Sequence, residues 1–235
     1  MTTDRRGELA ANLAEVQVRI ASAERLGGRE PGSVRLVVVT KTWPAPDVRL
    51  LAGLGVTDVA ENRDQEARPK QIECADLGLR WHFVGQLQRN KVRHVASYAD
   101  VVESVDRAEL ATALDRAAAA HGRTIDVLLQ VDLADPPQPH RGGAAPADLA
   151  ALAEVVAGDC PALRLAGLMA VAPLGEDPRA AFARLADVAA RLRLEHPGAT
   201  VLSAGMSQDL EEAVESGATH VRVGTAVLGG RPPLG

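Results

Sequence analysis

Aromatic side chains are almost missing from this sequence: two Trp, two Phe and one Tyr make up 2 % of its 235 residues. A core made without them must be aliphatic, and a hydrophobic content of 46 % is enough to build one. Cysteine is scarce as well. Cys74 and Cys160 lie far apart, with no ligand-type spacing to each other or to histidine. That excludes a disulfide framework, gives no sign of a metal site, and fits free thiols in a reducing compartment. No apolar run approaches membrane-spanning length, and the amino terminus, MTTDRRGELAANLAEVQVRI, is charged and lacks the apolar stretch of a secretory signal. A basic excess is missing too: the net charge is −5, which speaks against nucleic acid as a partner. These absences predict a soluble cytoplasmic protein with no metal.

Lysine is the most informative shortage. Of 26 basic residues only Lys41, Lys70 and Lys91 are lysines, so arginine is the default cation. One of the three ends a β-branched apolar run, VVVTKTWP at residues 37–44, that reads as a buried strand. Desolvating an ammonium there is costly. Lys41 either snorkels its charge to solvent at the strand end or is kept because a primary amine, unlike a guanidinium, can lose its proton and attack a carbonyl.

The chain opens with a helix over residues 4–27, with Leu9, Leu13, Val16 and Ile20 on one stripe and Gly27-Gly28 as its stop. An alternation follows. Strands are expected at 34–40, 57–60, 81–84, 101–105, 125–131, 165–169, 200–203 and 220–223. Helical segments at about 47–54, 62–75, 87–97, 106–121, 147–158, 178–195 and 208–216 separate them. Eight short strands alternating with helices predict one (β/α)8 barrel domain over residues 1–235, with residues 1–30 as an extra helix packed on it. A doubly wound sheet is the competing fold. The irregular stretch is ADPPQPHRGGAAPA, residues 134–147, a proline- and glycine-rich loop after the fifth strand.

In a barrel, chemistry collects at the carboxyl ends of the strands. Lys41 is there after the first strand, and Glu61, Asn62 and Arg63 after the second. The seventh ends in SAGMSQDLEEA, where Ser207 is expected to open a helix, and the eighth in HVRVGTAVLGG, where Gly224-Thr225 offers backbone amides. Glycine-containing turns at helix starts after adjacent strands bind phosphate, although ordinary helix caps look the same. A phosphate cup facing an amine fits a pyridoxal phosphate site or a Schiff-base aldolase acting on a sugar phosphate.

The segments VVVTKTWP, AENRDQE, WHFVGQLQRNK, RLAGLMAV and LSAGMSQDLEEAVESGATHVRVGTAVLGG together resemble the pyridoxal-phosphate homeostasis proteins over residues 34–230, in the expected order. The resemblance implies a single fold-type III barrel like the amino-terminal domain of alanine racemase, holding pyridoxal 5′-phosphate. It implies that Lys41 forms the Schiff base, that Ser207 and the amides of Gly224 and Thr225 hold the phosphate, that Arg222 faces the pyridine nitrogen, and that Asn62 lies beside the cofactor. Two positions depart from the family pattern. Ala60 stands where a glycine usually precedes Glu61-Asn62, and Arg141-Gly142-Gly143 replaces a Lys-x-Gly element.

An always-charged Arg222 would leave the pyridine nitrogen unprotonated and the ring a weak electron sink. A two-base racemase of the alanine-racemase type also takes a tyrosine from a second domain. The chain ends ten residues after Thr225, and Tyr98, the only tyrosine, precedes the fourth strand at the opposite barrel end. The expected function is therefore a cofactor carrier, monomeric, that buffers vitamin B6 and delivers it to pyridoxal phosphate-dependent apo-enzymes, with no catalytic residue. An amino-acid racemase is the alternative and a class I aldolase the third reading. His82 is expected as a packed interior histidine, not a base. Arg89, Lys91, Arg93 and His94 read as a solvated helix face, and Glu61 and Glu66 as orienting groups for the second helix.

Overall fold

A computed structural model describes residues 4–134 and 142–230. Its strands are β1 Arg35–Val39, β2 Asp58–Glu61, β3 Arg80–Phe83, β4 Val101–Val105, β5 Ile125–Val131, β6 Leu163–Ala170, β7 Val201–Ser203 and β8 His220–Val223. They run parallel and close in sequence order, β8 pairing with β1 through Val37↔Arg222 and Val38↔Val223. This is the (β/α)8 barrel, not the open sheet. Parallel strands buried on one side by helices need β-branched residues, and VVV, DVA, VVESV and HVRV supply them.

The helices are α1 Arg5–Leu26, α2 Ala45–Ala52, α3 Asp64–Glu73, α4 Val92–Ala96, α5 Ala108–Ala120, α6 Leu149–Asp159, α7 Pro178–Glu195, α8 Leu210–Glu215 and α9 Thr225–Leu228. Several boundaries differ from expectation for local reasons. The segment at 62–75 turns helical only at Asp64, because Asn62 lies in a bend and Arg63 is extended. The segment at 87–97 is a 3₁₀ turn, Arg89–Lys91, followed by the five residues of α4. Arg89, Arg93 and His94 in it are exposed, as expected of a solvated face, whereas Lys91 is half-buried. Pro69 is accommodated inside α3. Of the proline-rich loop, residues 135–141, Arg141 among them, lie outside the described residues. Gln130 Nε2 donates to the carbonyl of Gly142 at 2.8 Å.

Helix α1 buries Leu9, Leu13, Val16, Ile20 and Ala23, the predicted stripe extended by one turn. It braces the end of the chain that follows β7 and β8. Asn12 donates to the carbonyl of Val227 at 3.0 Å, Arg5 to that of Leu228 at 3.0 Å, and Arg19 to Glu211 at 2.6 Å and to the carbonyl of Ser207 at 3.0 Å. The Arg5 guanidinium also stacks over Trp43, 4.5 Å from the ring centroid. One helix thus fixes the turn after β1 and the turns after β7 and β8 relative to each other. No described helix is long and apolar enough to cross a membrane.

Candidate functional site

Strand β1 stops at Val39, two residues before Lys41, which is half-buried in the turn that follows. That turn holds Thr42 at φ +68°, a left-handed conformation rare for a β-branched residue. It is pinned by the Thr42 amide, which donates to Glu66 Oε2 at 2.9 Å. Glu66, expected to orient its helix, instead fixes the lysine turn. Register places the neighbours. Val39 pairs with Ala60 on β2, so Asn62 follows on one flank; Val38 pairs with Val223 on β8, so Gly224 follows on the other. A Cβ on Gly224 would meet the carbonyl oxygen of Val39 at 3.2 Å. Lys41 therefore stands at the rim between Asn62 and Gly224.

Ser207 does not open α8, which starts at Leu210. Its Oγ accepts instead from the amide of Ala226, 3.3 Å away in the first turn of α9. The structure thus gathers Ser207, Gly224 and Thr225 at one corner. The fold at this corner rests on Gly205 at φ +90°, where a Cβ would lie 2.7 Å from that of Ala213. On the other flank Gly85 carries the same demand: its Cβ would fall 2.0 Å from the carbonyl oxygen of Asn62. An open cavity of about 440 Å³ there is lined by Asn62, Arg63, Phe83, Gln86, Gln88 and Lys91, among others.

Arg222 is inside the barrel and 4 % exposed. Its Nη2 donates to the carbonyl of Ala170 at 2.9 Å and its Nη1 to Ser203 Oγ at 2.7 Å. Arginine offers donors only, so the Ser203 proton is directed to Glu103 Oε2, 2.6 Å away. Glu103 Oε1 lies 2.7 Å from His82 Nδ1, and His82 Nε2 lies 3.1 Å from Asp58 Oδ1. A carboxylate at each ring nitrogen favours the doubly protonated imidazolium, which can donate from both. Burial opposes that charge, but the bonds to Asp58 and Glu103 outweigh it and raise the pKa of His82. Burial would raise Glu103; His82, Arg222 and Ser203 pull it down to about 2. Asp58 is likewise held well below the carboxylate range, its burial overcome by His82 and Thr57. Burial lowers Arg222, with Glu103 and Asp209 opposing. A charge-alternating chain, Asp58–His82–Glu103–Ser203–Arg222, thus crosses the barrel interior.

His82 is interior, as expected, but ion-paired as well as packed. Asp58, Glu103 and Ser203 were missed from the sequence. Each is a polar residue with no polar residue two positions away, as Glu103 stands between Val101 and Val105, so the strand pattern alone marks none of them.

Glu61 was expected to orient a helix. It forms a buried ion pair with Lys70, 2.5 Å apart, and accepts from Thr40 Oγ1 at 2.6 Å, while Lys70 donates to the carbonyl of Thr40 at 2.9 Å. Two of the three lysines thus serve the same strand end. Burial raises the Glu61 pKa, with Lys70 opposing. Tyr98 was placed at the opposite barrel end. Its buried phenol feels the carboxylates of Asp64 and Glu61, and burial drives its pKa far upward. Glu154, Glu195 and His196 form the one described group whose ligand atoms approach within 4.8 Å of each other; both glutamates are exposed.

The alanine racemase N-terminal domain family matches residues 11–232. The pyridoxal phosphate homeostasis protein of Pseudomonas aeruginosa is 45 % identical over 226 residues, covering 95 % of this chain and 96 % of that protein. PipY of Synechococcus elongatus, solved with pyridoxal phosphate bound, is 37 % identical with a TM-score of 0.79, covering 94 % of this chain and all of that one. Alanine racemase of Corynebacterium glutamicum superposes with a TM-score of 0.67 at 18 % identity over 98 % of this chain and 62 % of that one, a likeness of fold alone. With those sequence relationships over nearly the whole length, the chain belongs to the pyridoxal phosphate homeostasis protein family.

Proposed function

We propose that this protein binds pyridoxal 5′-phosphate at the carboxyl end of its barrel, and that it stores and delivers the cofactor without robust catalysis. The observation that carries the reading is the rim arrangement: the Lys41 turn lies between Asn62 and the Ser207–Gly224–Thr225 corner, with Arg222 held inside the barrel. The donor set fits the group. An amine suits its aldehyde, a hydroxyl and backbone amides suit its phosphate, and a guanidinium suits its ring nitrogen.

Bound there, the cofactor supplies an aldehyde and an electron-withdrawing ring. Lys41 would anchor it covalently, Ser207 with the Gly224 and Thr225 amides would take the phosphate, and Asn62 would border the ring. Arg222 would donate to the ring nitrogen and, being unable to give up a proton, keep it unprotonated. That disfavours carbanion chemistry. Tyr98, buried beside carboxylates, is poorly suited to serve as a second base. The same reading makes the chain one barrel domain over residues 1–235 and a monomer of the cytoplasm, with apo-enzymes as recipients of the cofactor.

The test is an absorbance spectrum of the purified protein with added pyridoxal phosphate, then borohydride reduction and peptide mapping. A yellow band and a reduced adduct on Lys41 are expected. A colourless protein that takes up no cofactor would sink the reading. Solvent deuterium entering the α-position of an amino acid would replace the carrier with the racemase.

A further inference from the structure

The opposite, amino-terminal end of the barrel carries a second concentration of charge. Strands begin there with Arg35 on β1, Asp58 on β2, Arg80 on β3, Asp126 on β5, Arg164 on β6 and His220 on β8. Most of this ring is neutralised in pairs. Asp58 faces Arg35 Nη1 at 3.3 Å, while Asp126 takes Arg80 and, through two bonds of 2.5 and 2.6 Å, Arg164. The alternation fails in one sector. Between Arg164 and Arg35 stand only Val201, preceded by Thr200, and His220. Burial pushes the His220 imidazole down to about 4, so it is neutral at pH 7. Two cations thus flank a sector with no anion.

That sector opens into a cavity of about 310 Å³ whose lining includes Arg35, Arg80, Arg164, Thr200, His220 and His82. Its lining carries three arginines against one carboxylate, Asp126. We propose that this cavity is an anion site, taking a small oxyanion of two negative charges: a phosphate, a phosphate monoester or a short dicarboxylate. The anion would lie between Arg164 and Arg35, with Thr200 and the neutral His220 as hydrogen-bonding partners, completing the charge ring. Arg164 uses Nε and Nη2 on Asp126 and Arg35 uses Nη1 on Asp58, so each guanidinium has further N–H donors to offer such a group. The site lies at the other end of the barrel from Lys41 and does not rest on the cofactor reading.

The test follows the His220 ring resonances of the full-length protein at pH 7 during titration with sodium phosphate and, separately, sodium succinate. Sodium chloride at matched ionic strength is the control. A saturable His220 shift with phosphate, succinate or both is expected, and the tighter binder identifies the source class. Arg164→Gln and Arg35→Gln should each weaken binding about tenfold or more, while Arg164→Lys should retain most of it. Melting temperatures report whether each variant is folded, and the lysine variant separates charge from packing. Protein reduced with borohydride after loading with pyridoxal phosphate should give the same midpoint. The proposal fails if chloride moves His220 equally, if no shift saturates, or if the midpoint ignores both arginine variants. Loss of binding after the reduced adduct has formed would place the ion at the cofactor end and overturn it as well.

Discussion

Glu103 and Arg222 face each other inside the barrel, 3.7 Å apart, with Ser203 Oγ bonded to both. Neither is on the rim, and both are almost fully buried. Arg222 thus meets the carboxyl end of the barrel with its guanidinium already bonded to Ser203 and to the Ala170 carbonyl. Its orientation depends on Ser203 and Ala170, which lie outside the proposed binding set.

Glu103→Leu should leave two buried cations, His82 and Arg222, short of a counter-charge. The expected loss is about 3–5 kcal/mol of stability, the usual cost of breaking a buried ion pair from one side. Glu103→Gln should cost less, because its amide oxygen still accepts one bond. Urea denaturation of both variants measures the difference, and equal stability of Glu103→Leu and the parent would refute the account.

The Lys70–Glu61 pair predicts a coupled response. Lys70→Met strands a carboxylate that already has one oxygen, Oε2, without a partner, and should cost about 3–5 kcal/mol. Adding Glu61→Gln should restore part of that loss, so a double-mutant cycle should give a coupling of at least about 1 kcal/mol. Additive effects would mean the two groups do not support the Thr40–Lys41 turn together.

Acid should destabilise the protein in two successive windows. His220 is depressed to about 4 from an ordinary 6.5, so the unfolded chain takes up its proton first and stability falls as pH drops from 6.5 towards 4. Glu103 is depressed to about 2 from 4.5, so its contribution is complete above 4.5 and is lost below. His82 works in reverse. Its raised pKa contributes stability that is full below 6.5 and lost as pH rises through its folded value. His220→Asn should flatten the upper acid window in a stability–pH profile and leave the lower one in place; an unchanged upper window would contradict the burial argument.

Gly85→Ala tests the close approach of the turns after β2 and β3. With the new Cβ 2.0 Å from the Asn62 carbonyl oxygen, backbone must move. A loss of about 1–3 kcal/mol is expected, as for other overpacking changes. Pyridoxal phosphate affinity, followed by absorbance, should fall with it, because Asn62 shifts. Unchanged affinity in a destabilised variant would remove Asn62 from the binding role.

Local chemistry written in the chain determined the barrel and its rim. Runs of β-branched residues, caps and glycine turns recur at βα spacing, and parallel βα units place their turns at one end whether the sheet closes or stays open. The shortage of lysine singled out Lys41 before any fold was known. Lys70 carried the same compositional mark, yet its partner Glu61 is close only because α3 packs behind β2. Ser207 opens no helix; its bond to the Ala226 amide joins turns that follow different strands, which a local pattern does not reveal. The interior chain from Asp58 to Arg222 needed the closed barrel, because its members come from β2, β3, β4, β7 and β8. A strand's own pattern tells which face a residue takes; which residues meet across the barrel is set by shear and register, long-range quantities that tertiary structure alone fixes.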